Sequence, residues 1–154
     1  MIDESFLHSA YYTDFQVGQE MKTAGRTITE ADVVTFAGFS GDYNPLHTDA
    51  VYASSGPYGR RIAHGLLGLA IASGLAARLG ILEESALALR EVTCKFRGPV
   101  FIGDTVHARM KVVGTKPMRR VGGGLVQVEV KLCNQRDEVV QTGTWTMLVK
   151  SRDV

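Results

Sequence analysis

The alternation of hydrophobic and polar residues changes character near residue 90. Downstream of that point apolar and polar positions alternate, which is typical of strands with one face toward water. The alternating segments are residues 92–96, 106–112 and 126–132. A last segment, 139–149, is rich in Val and Thr and follows a turn-like run at 134–137, so the final two strands are predicted to form a hairpin. The pattern therefore predicts an antiparallel sheet.

The upstream half has the pattern of helices. Thr29 followed by Glu30 and Asp32 is typical of a helix start, with an N-cap and acidic residues in the first turn. A second helix is predicted from near Ala63 to Arg78, with Gly80 placed to end it in a left-handed conformation. Nearly all sides of this helix are apolar, which predicts burial on every side. We therefore expect an α+β fold in which an antiparallel β-sheet wraps around one long buried α-helix.

Composition fits this picture and excludes several classes of protein. The chain has 154 residues, 45% hydrophobic and 21% charged, as expected for a single domain over residues 1–154. Residues 116–124, with Pro117 and three glycines, are predicted to form a loop within it. The formal charge of +1 gives no general attraction to nucleic acid or to anionic membranes, so neither is expected as a partner.

Location and metal content are also bounded by the sequence. The longest apolar stretch, 66–77, is too short to span a bilayer, and the acidic residues 1–5 do not resemble a secretory signal. A cytoplasmic location is the default expectation. Cys94 and Cys133 lie far apart without a Cys-x-x-Cys pattern, so neither a disulfide framework nor a zinc site is indicated and no metal is expected.

Two titratable side chains, Asp42 and His47, lie close together in the run GDYNPLH. On one continuous helix they would project on different faces, but Pro45 breaks the helix and also disfavours helical geometry at Asn44. Asp42 is then expected at the end of one helix and His47 at the start of a short helical piece that reaches Ala53. A carboxylate and an imidazole that face one small volume suit proton transfer near neutral pH. The alternative is a hydrogen-bonded turn beside a surface histidine.

A third feature is the tripeptide Ala63-His64-Gly65 at the start of the buried helix. The first amides of a helix lack intrahelical acceptors, so the Gly65 N–H can donate to a carbonyl that develops negative charge. Close packing of helix against sheet would explain the glycine equally well.

These residues resemble a known family. The run FAGFSGDYNPLH at 36–47, followed by Ala53 and by AHG at 63–65, is similar to the signature of the MaoC-like (R)-specific enoyl-CoA hydratases and dehydratases. The run FRGPV at 96–100, with Gly103-Asp104, also resembles that family. The similarity covers roughly residues 14–149.

The resemblance implies a hot-dog fold and a homodimer or higher homo-oligomer with continuous sheets. It implies an enzyme of fatty acid metabolism, a hydro-lyase that catalyses reversible syn hydration of a trans-2-enoyl thioester to an (R)-3-hydroxyacyl thioester. The substrate would be a thioester of CoA or of acyl carrier protein, with no cofactor beyond the CoA of the substrate. Asp42 and His47 would activate water, and the Gly65 N–H would polarise the thioester carbonyl.

The same resemblance implies substrate-binding roles for Asn44, His64 and Ser73. Each has an alternative: Asn44 as the turn residue before Pro45, His64 as a helix-end side chain bonded to local backbone, and Ser73 as a hydroxyl bonded back along its helix. Two other functions also stay open. These are an acyl-CoA thioesterase and a non-catalytic hot-dog subunit of a dehydratase heterodimer.

Overall fold

A computed structural model describes residues 9–152 of the chain, with four α-helices and seven strands in that range. The helices are α1 (Glu30–Ser40), α2 (Pro45–Thr48), α3 (Ala50–Ser54) and α4 (Gly65–Ala77). The strands are β1 (Glu20–Lys22), β2 (Arg26–Thr27), β3 (Ala86–Val92), β4 (Lys95–Phe96), β5 (Thr105–Met118), β6 (Gly123–Cys133) and β7 (Val139–Lys150). The acidic residues 1–5, on which we based the prediction of no secretory signal, lie outside the described residues.

The strands form one sheet in the order β1-β5-β6-β7-β3, with β2 added beside β5 and β4 beside β7. Every strand pair is antiparallel, as the alternation predicted. The predicted hairpin between β6 and β7 is confirmed. Its turn contains Asp137 at φ 60°, a left-handed conformation that Asp tolerates better than most residues.

The core lies between α4 and the inner face of the sheet. Leu67, Ile71 and Leu75 of α4 are buried in one cluster with the valines of β5 and β6, among them Val112 and Val128. A sheet around one principal helix is the α+β arrangement expected from the sequence. None of the described helices has the length and apolar character needed to span a membrane.

Helix α1 begins where its capping residues predict. The Thr29 hydroxyl accepts a hydrogen bond from the Asp32 N–H at 3.2 Å, and the Asp32 carboxylate accepts one from the Thr29 N–H at 2.8 Å. This reciprocal pair satisfies donors that a helix start leaves free. The helix ends at Gly41, which adopts the left-handed conformation with φ 79°.

The prediction of a loop over residues 116–124 is wrong. β5 continues to Met118 and β6 begins at Gly123, so that only a short turn remains between them. Two of the three glycines serve close packing: a Cβ on Gly123 would collide with the backbone of Val149, and one on Gly124 with the ring of Tyr12. Such contacts come from distant parts of the chain, which a local glycine-rich pattern does not reveal.

The prediction that α4 is buried on every side is also wrong for the single chain. The helix is shorter than predicted, Gly65–Ala77 in place of 63–78, although Gly80 does adopt the predicted left-handed conformation with φ 72°. One stripe along it is exposed, and its members are Leu66, Ala70, Ser73, Gly74 and Ala77. The sheet covers only the opposite side of the helix.

The segment 92–96 differs from its predicted form as well. It is split into the end of β3 and the two residues of β4, and the predicted inward face is not buried: Phe96 is 54% exposed. Every residue of β3 is exposed, and this strand lies at the sheet edge, where among the described residues it pairs only with β7.

Candidate active site

A short turn over residues 41–44 joins α1 and α2, and Asp42 lies in this turn. The Asp42 carboxylate accepts a hydrogen bond from the Asn44 N–H at 3.1 Å. Asn44 in turn caps α2, since its side-chain oxygen accepts from the Leu46 N–H at 3.0 Å, and Pro45 is the first helical residue. The helical run is interrupted before Pro45, as predicted, but α1 already ends at Gly41, and the predicted second helical piece is divided into α2 and α3. Asn44 has the turn role that we considered as the alternative to substrate binding.

His47 lies within α2, and its ring is fixed by the main chain of a distant segment. Its Nδ1 lies 2.8 Å from the carbonyl oxygen of Ile62. A carbonyl oxygen can only accept, so Nδ1 carries the proton of this hydrogen bond. In the neutral ring Nε2 then has a lone pair and can act as a base.

His64 links Asp42 and His47 to the start of α4. Its Nε2 lies 2.9 Å from the carbonyl oxygen of Asp42, and its ring stacks on the His47 ring with centroids 3.9 Å apart. One ligand-type atom each of Asp42, His47 and His64 lies within 4.8 Å of the other two. Asp42 and His47 therefore converge as predicted, and His64 lies with them.

One carboxylate and two imidazoles are also side chains that commonly bind a metal ion, and this group could hold one. The interplanar angle of the stacked rings is 29°, and the lone pair of an imidazole nitrogen lies in its ring plane. Each ring also has one nitrogen engaged by a backbone carbonyl. The geometry is compatible both with proton transfer and with a metal ion, because metal-binding histidines commonly donate their other ring N–H to a backbone carbonyl. The absence of a metal stays a prediction.

Gly65 is the first residue of α4, where the amide has no intrahelical acceptor. Two side chains hold this residue. The Gln141 side chain donates to the Gly65 carbonyl oxygen at 2.8 Å, and the Phe96 ring lies so close that a Cβ on Gly65 would be 2.7 Å from it. The segment before Gly65 is fixed to the segment after β4 by a hydrogen bond from the Ala63 N–H to the Val100 carbonyl oxygen at 2.7 Å.

Sequence reasoning missed Gln141 and the position of Phe96. Gln141 is 5% exposed and shares its face of β7 with Trp145 and Val149, both buried. A polar side chain at a core-facing position of an alternating strand needs a buried partner, which is the signal that could have identified it.

Ser73 lies two turns along α4 from Gly65 and is exposed. Its hydroxyl donates to the Ala70 carbonyl oxygen at 2.6 Å, which is the bond back along the helix that we considered as its alternative role. No described contact joins it to Asp42 or His47. Its role in substrate binding stays a prediction.

An ion pair supports the outer side of the site. The Arg61 guanidinium donates to both carboxylate oxygens of Glu30, at 2.9 and 2.5 Å, and contacts the His47 carbonyl oxygen at 3.4 Å. The hydrogen bonds from Arg61 lower the pKa of Glu30. The pair ties the start of α1 to the segment that follows α3.

A comparison with known protein families identifies the family of this chain. The model of the MaoC-like domain matches residues 14–134, which include Asp42, His47 and Gly65. The chain belongs to the MaoC-like family. The family membership predicted from the sequence is thus confirmed.

The chain is similar in sequence to proteins that are named as hydratases and dehydratases. The chain is 36% identical over 151 residues to an (R)-specific enoyl-CoA hydratase of Rhodospirillum rubrum, covering 97% of each chain. It is 34% identical over 151 residues to a 3-hydroxybutyryl-CoA dehydratase of Methylorubrum extorquens, covering 96% of this chain and 88% of that one. The prediction of a hydro-lyase of the hydratase and dehydratase type is confirmed at this level.

Solved structures support the same placement. An (R)-hydratase from Pseudomonas aeruginosa superposes with a TM-score of 0.77 at 28% identity, covering 92% of this chain and 86% of that one. A double hot-dog protein of Mycobacterium tuberculosis superposes with a TM-score of 0.80 over 93% of this chain and 44% of that one; at 19% identity this likeness shows the fold alone. The hot-dog fold is confirmed.

Proposed function

We propose that this MaoC-like chain hydrates trans-2-enoyl-CoA to (R)-3-hydroxyacyl-CoA, or catalyses the reverse dehydration. Asp42 and His47 hold and activate the water, and the Gly65 N–H polarises the thioester carbonyl. The observation that carries the proposal is the His47 ring: its Nδ1–H is committed to the Ile62 carbonyl at 2.8 Å, which leaves Nε2 as the base, and a ring nitrogen of His47 lies within 4.8 Å of a carboxylate oxygen of Asp42.

These groups account for each proton and electron pair that moves in the reaction. The water oxygen forms a bond to the β-carbon while one of its protons passes to the Asp42 and His47 pair, and the double-bond electrons move toward the thioester carbonyl. The Gly65 N–H stabilises the negative charge that builds up on that oxygen. A proton from the same pair then reaches the α-carbon on the same face, which gives syn addition. In the reverse direction the groups exchange roles, so neither direction needs a metal or a further cofactor.

The first experiment is hydration of crotonyl-CoA by purified protein, with the chirality of the product determined. We expect Asp42→Asn and His47→Ala each to lower kcat by about 100-fold or more, the range associated with loss of a general acid or base. Asp49→Asn is the matched control, because Asp49 is an exposed carboxylate close in sequence to the same turn. Its side chain caps α3 by accepting a hydrogen bond from the Tyr52 N–H at 2.9 Å, and Asn caps a helix equally well. Unchanged hydration by the Asp42 or His47 variant would refute the assignment.

Two side measurements separate the alternatives. Release of free thiol from an acyl-CoA would identify a thioesterase, and lack of hydration by the purified chain alone would favour a non-catalytic partner subunit. Activity that survives a metal chelator would support the absence of a metal cofactor. Enoyl-CoAs of graded chain length, and the same acyl groups on acyl carrier protein, would define the substrate.

We also propose that the chain is a homodimer formed through β3. All seven residues of this edge strand are exposed, among them Leu87 and Leu89 at 47% and 58%, and no strand within residues 9–152 pairs with its outer edge. An apolar strand edge that faces water invites pairing with another strand. A second copy can pair antiparallel across a two-fold axis and make the sheets continuous.

Sedimentation or light scattering tests the dimer. Leu89→Lys should convert the dimer to a monomer, whereas the matched variant Val113→Lys, on the exposed side of β5 at 43% exposure, should not. A wild-type protein that stays monomeric at micromolar concentration would contradict the proposal. A cytoplasmic location and a place in fatty acid metabolism stay predictions.

A further inference from the structure

His64 is a buried histidine that contacts both members of the candidate acid/base pair. It is 3% exposed, its Nε2 is 2.9 Å from the Asp42 carbonyl oxygen, and its ring stacks on that of His47. On another side it packs against Phe36, with centroids 4.8 Å apart. We propose that His64 is a positioning residue: it holds the Asp42 main chain and the His47 ring in register with the Gly65 amide and does not itself bind substrate. This role rests on the proposed hydratase function.

The hydrogen-bond partner determines the form of the ring. Since the Asp42 carbonyl can only accept, His64 Nε2 carries a proton. In the neutral ring Nδ1 is then a lone pair, and this atom is buried without a hydrogen-bond partner among the described residues. The ring therefore presents no free donor to a substrate.

The bond from His64 ties the Asp42 turn to a distant segment. Locally, the exposed Asp42 carboxylate accepts from the Asn44 N–H, and the Asp42 N–H donates to the Ser40 hydroxyl. The bond from His64 joins this turn to the residue immediately before Gly65, 22 positions further along the chain. It thus fixes the distance between the water-activating pair and the carbonyl-polarising amide. Misplacement of catalytic groups by about 1 Å can cost on the order of 100-fold in rate.

A ring that merely fills space would make the same packing contacts, so the test must separate packing from donation. His64→Phe keeps an aromatic ring between His47 and Phe36 but removes the donor. His64→Gln removes the ring but keeps an Nε2 donor at the same number of bonds from the Cα. His64→Asn carries its amide nitrogen one bond closer to the main chain, where it does not reach Asp42.

Kinetics with crotonyl-CoA give the first readout. We expect His64→Phe and His64→Asn to lower kcat by about 10-fold or more with KM changed by less than about 3-fold, and His64→Gln to recover most of kcat. Thermal unfolding monitors folding in each variant. A His64→Phe variant with wild-type kcat would overturn the proposal, and so would equal impairment of the folded Phe and Gln variants. An effect confined to KM would assign His64 to substrate binding instead.

Long-range proton–nitrogen NMR of the imidazoles gives a readout independent of activity. We expect the Nε2–H tautomer for His64 and the Nδ1–H tautomer for His47 in wild type. In His64→Phe the backbone amide signals of residues 42–44 should shift and exchange faster with solvent, and in His64→Gln they should stay close to wild type. If wild-type protein hydrates no enoyl-CoA, the proposed function fails, and these signals alone decide on the tether. An Nδ1–H tautomer for His64, or unshifted amides in His64→Phe, would overturn it.

Discussion

Replacement of Gly65 by alanine tests how α4 and β4 fit together at the candidate active site. A Cβ on Gly65 would lie 2.7 Å from Cε1 and 2.8 Å from Cδ1 of Phe96. Carbon atoms of separate residues pack at about 3.5–4.0 Å, so either the ring or the start of the helix must move by about 1 Å. Since Phe96 is 54% exposed and belongs to a two-residue edge strand, the ring can partly give way.

The structure sets the size of the expected effect. Overpacking costs about 1–3 kcal/mol where neighbours are fixed, and the exposed position of Phe96 puts Gly65→Ala near the lower limit, about 1 kcal/mol of unfolding free energy. The activity should fall by more than this value implies. Any shift of the helix start displaces the Gly65 N–H from the developing oxyanion, and loss of one such donor costs about 100-fold or more in kcat.

A double-mutant cycle with Phe96→Ala measures the contact. Urea unfolding at fixed protein concentration and kcat for crotonyl-CoA are recorded for both single variants and for the double variant. We expect the double variant to recover about 1 kcal/mol relative to the sum of the single effects. Gly74→Ala on the same helix is the control: nothing lies within 4 Å of its added Cβ, so it should stabilise the protein by about 0.5–1 kcal/mol. Additivity within about 0.5 kcal/mol in the cycle would refute the role of Phe96.

Further predictions concern the fold around the site. Thr29→Ala should lower the unfolding free energy by about 1 kcal/mol, because it removes the cap bond to the Asp32 N–H, whereas Thr29→Ser should be nearly neutral in chemical denaturation. Burial alone would raise the pKa of Asp32, but the hydrogen bonds from Thr29 and the ion pair with a neighbouring arginine outweigh it and lower the pKa. The stabilisation by the ionised Asp32 carboxylate is therefore fully present above a pH of about 4 and is lost as the pH falls through the folded-state pKa. Asp32→Asn should remove this part of the dependence of stability on pH. Burial, followed by nearby cations, lowers the pKa of His107. The unfolded state thus binds the proton first, so stability should fall as the pH drops below about 6.5, and His107→Gln should flatten this slope in unfolding curves at graded pH. A Cβ on Gly143 would collide with the backbone carbonyl of Thr93, so Gly143→Ala should abolish soluble expression or lower the melting temperature sharply; a wild-type melting curve would contradict that packing.

The sequence by itself determined the features that depend on neighbours along the chain. Thr29 caps α1, the helical run is interrupted before Pro45, and Gly80 adopts the left-handed conformation, all as predicted. The alternation that gives the antiparallel strands β5, β6 and β7 also occurs as predicted. Each of these follows from backbone geometry or from periodicity over a few residues, which is why the convergence of Asp42 and His47 could be inferred from the proline between them.

Only the tertiary structure decided which side chains hold the site and which surfaces are left open. The links from Gln141 to Gly65 and from His64 to Asp42 join residues 76 and 22 positions apart, and the local sequence does not indicate which residue is the partner. The glycines at 123–124 were mistaken for a loop because the groups they accommodate come from other segments. The exposed stripe of α4 was mistaken for core because an apolar helix does not reveal how many of its sides a sheet covers. Burial is a property of the assembled layers, whereas caps, turns and strand alternation are properties of adjacent residues.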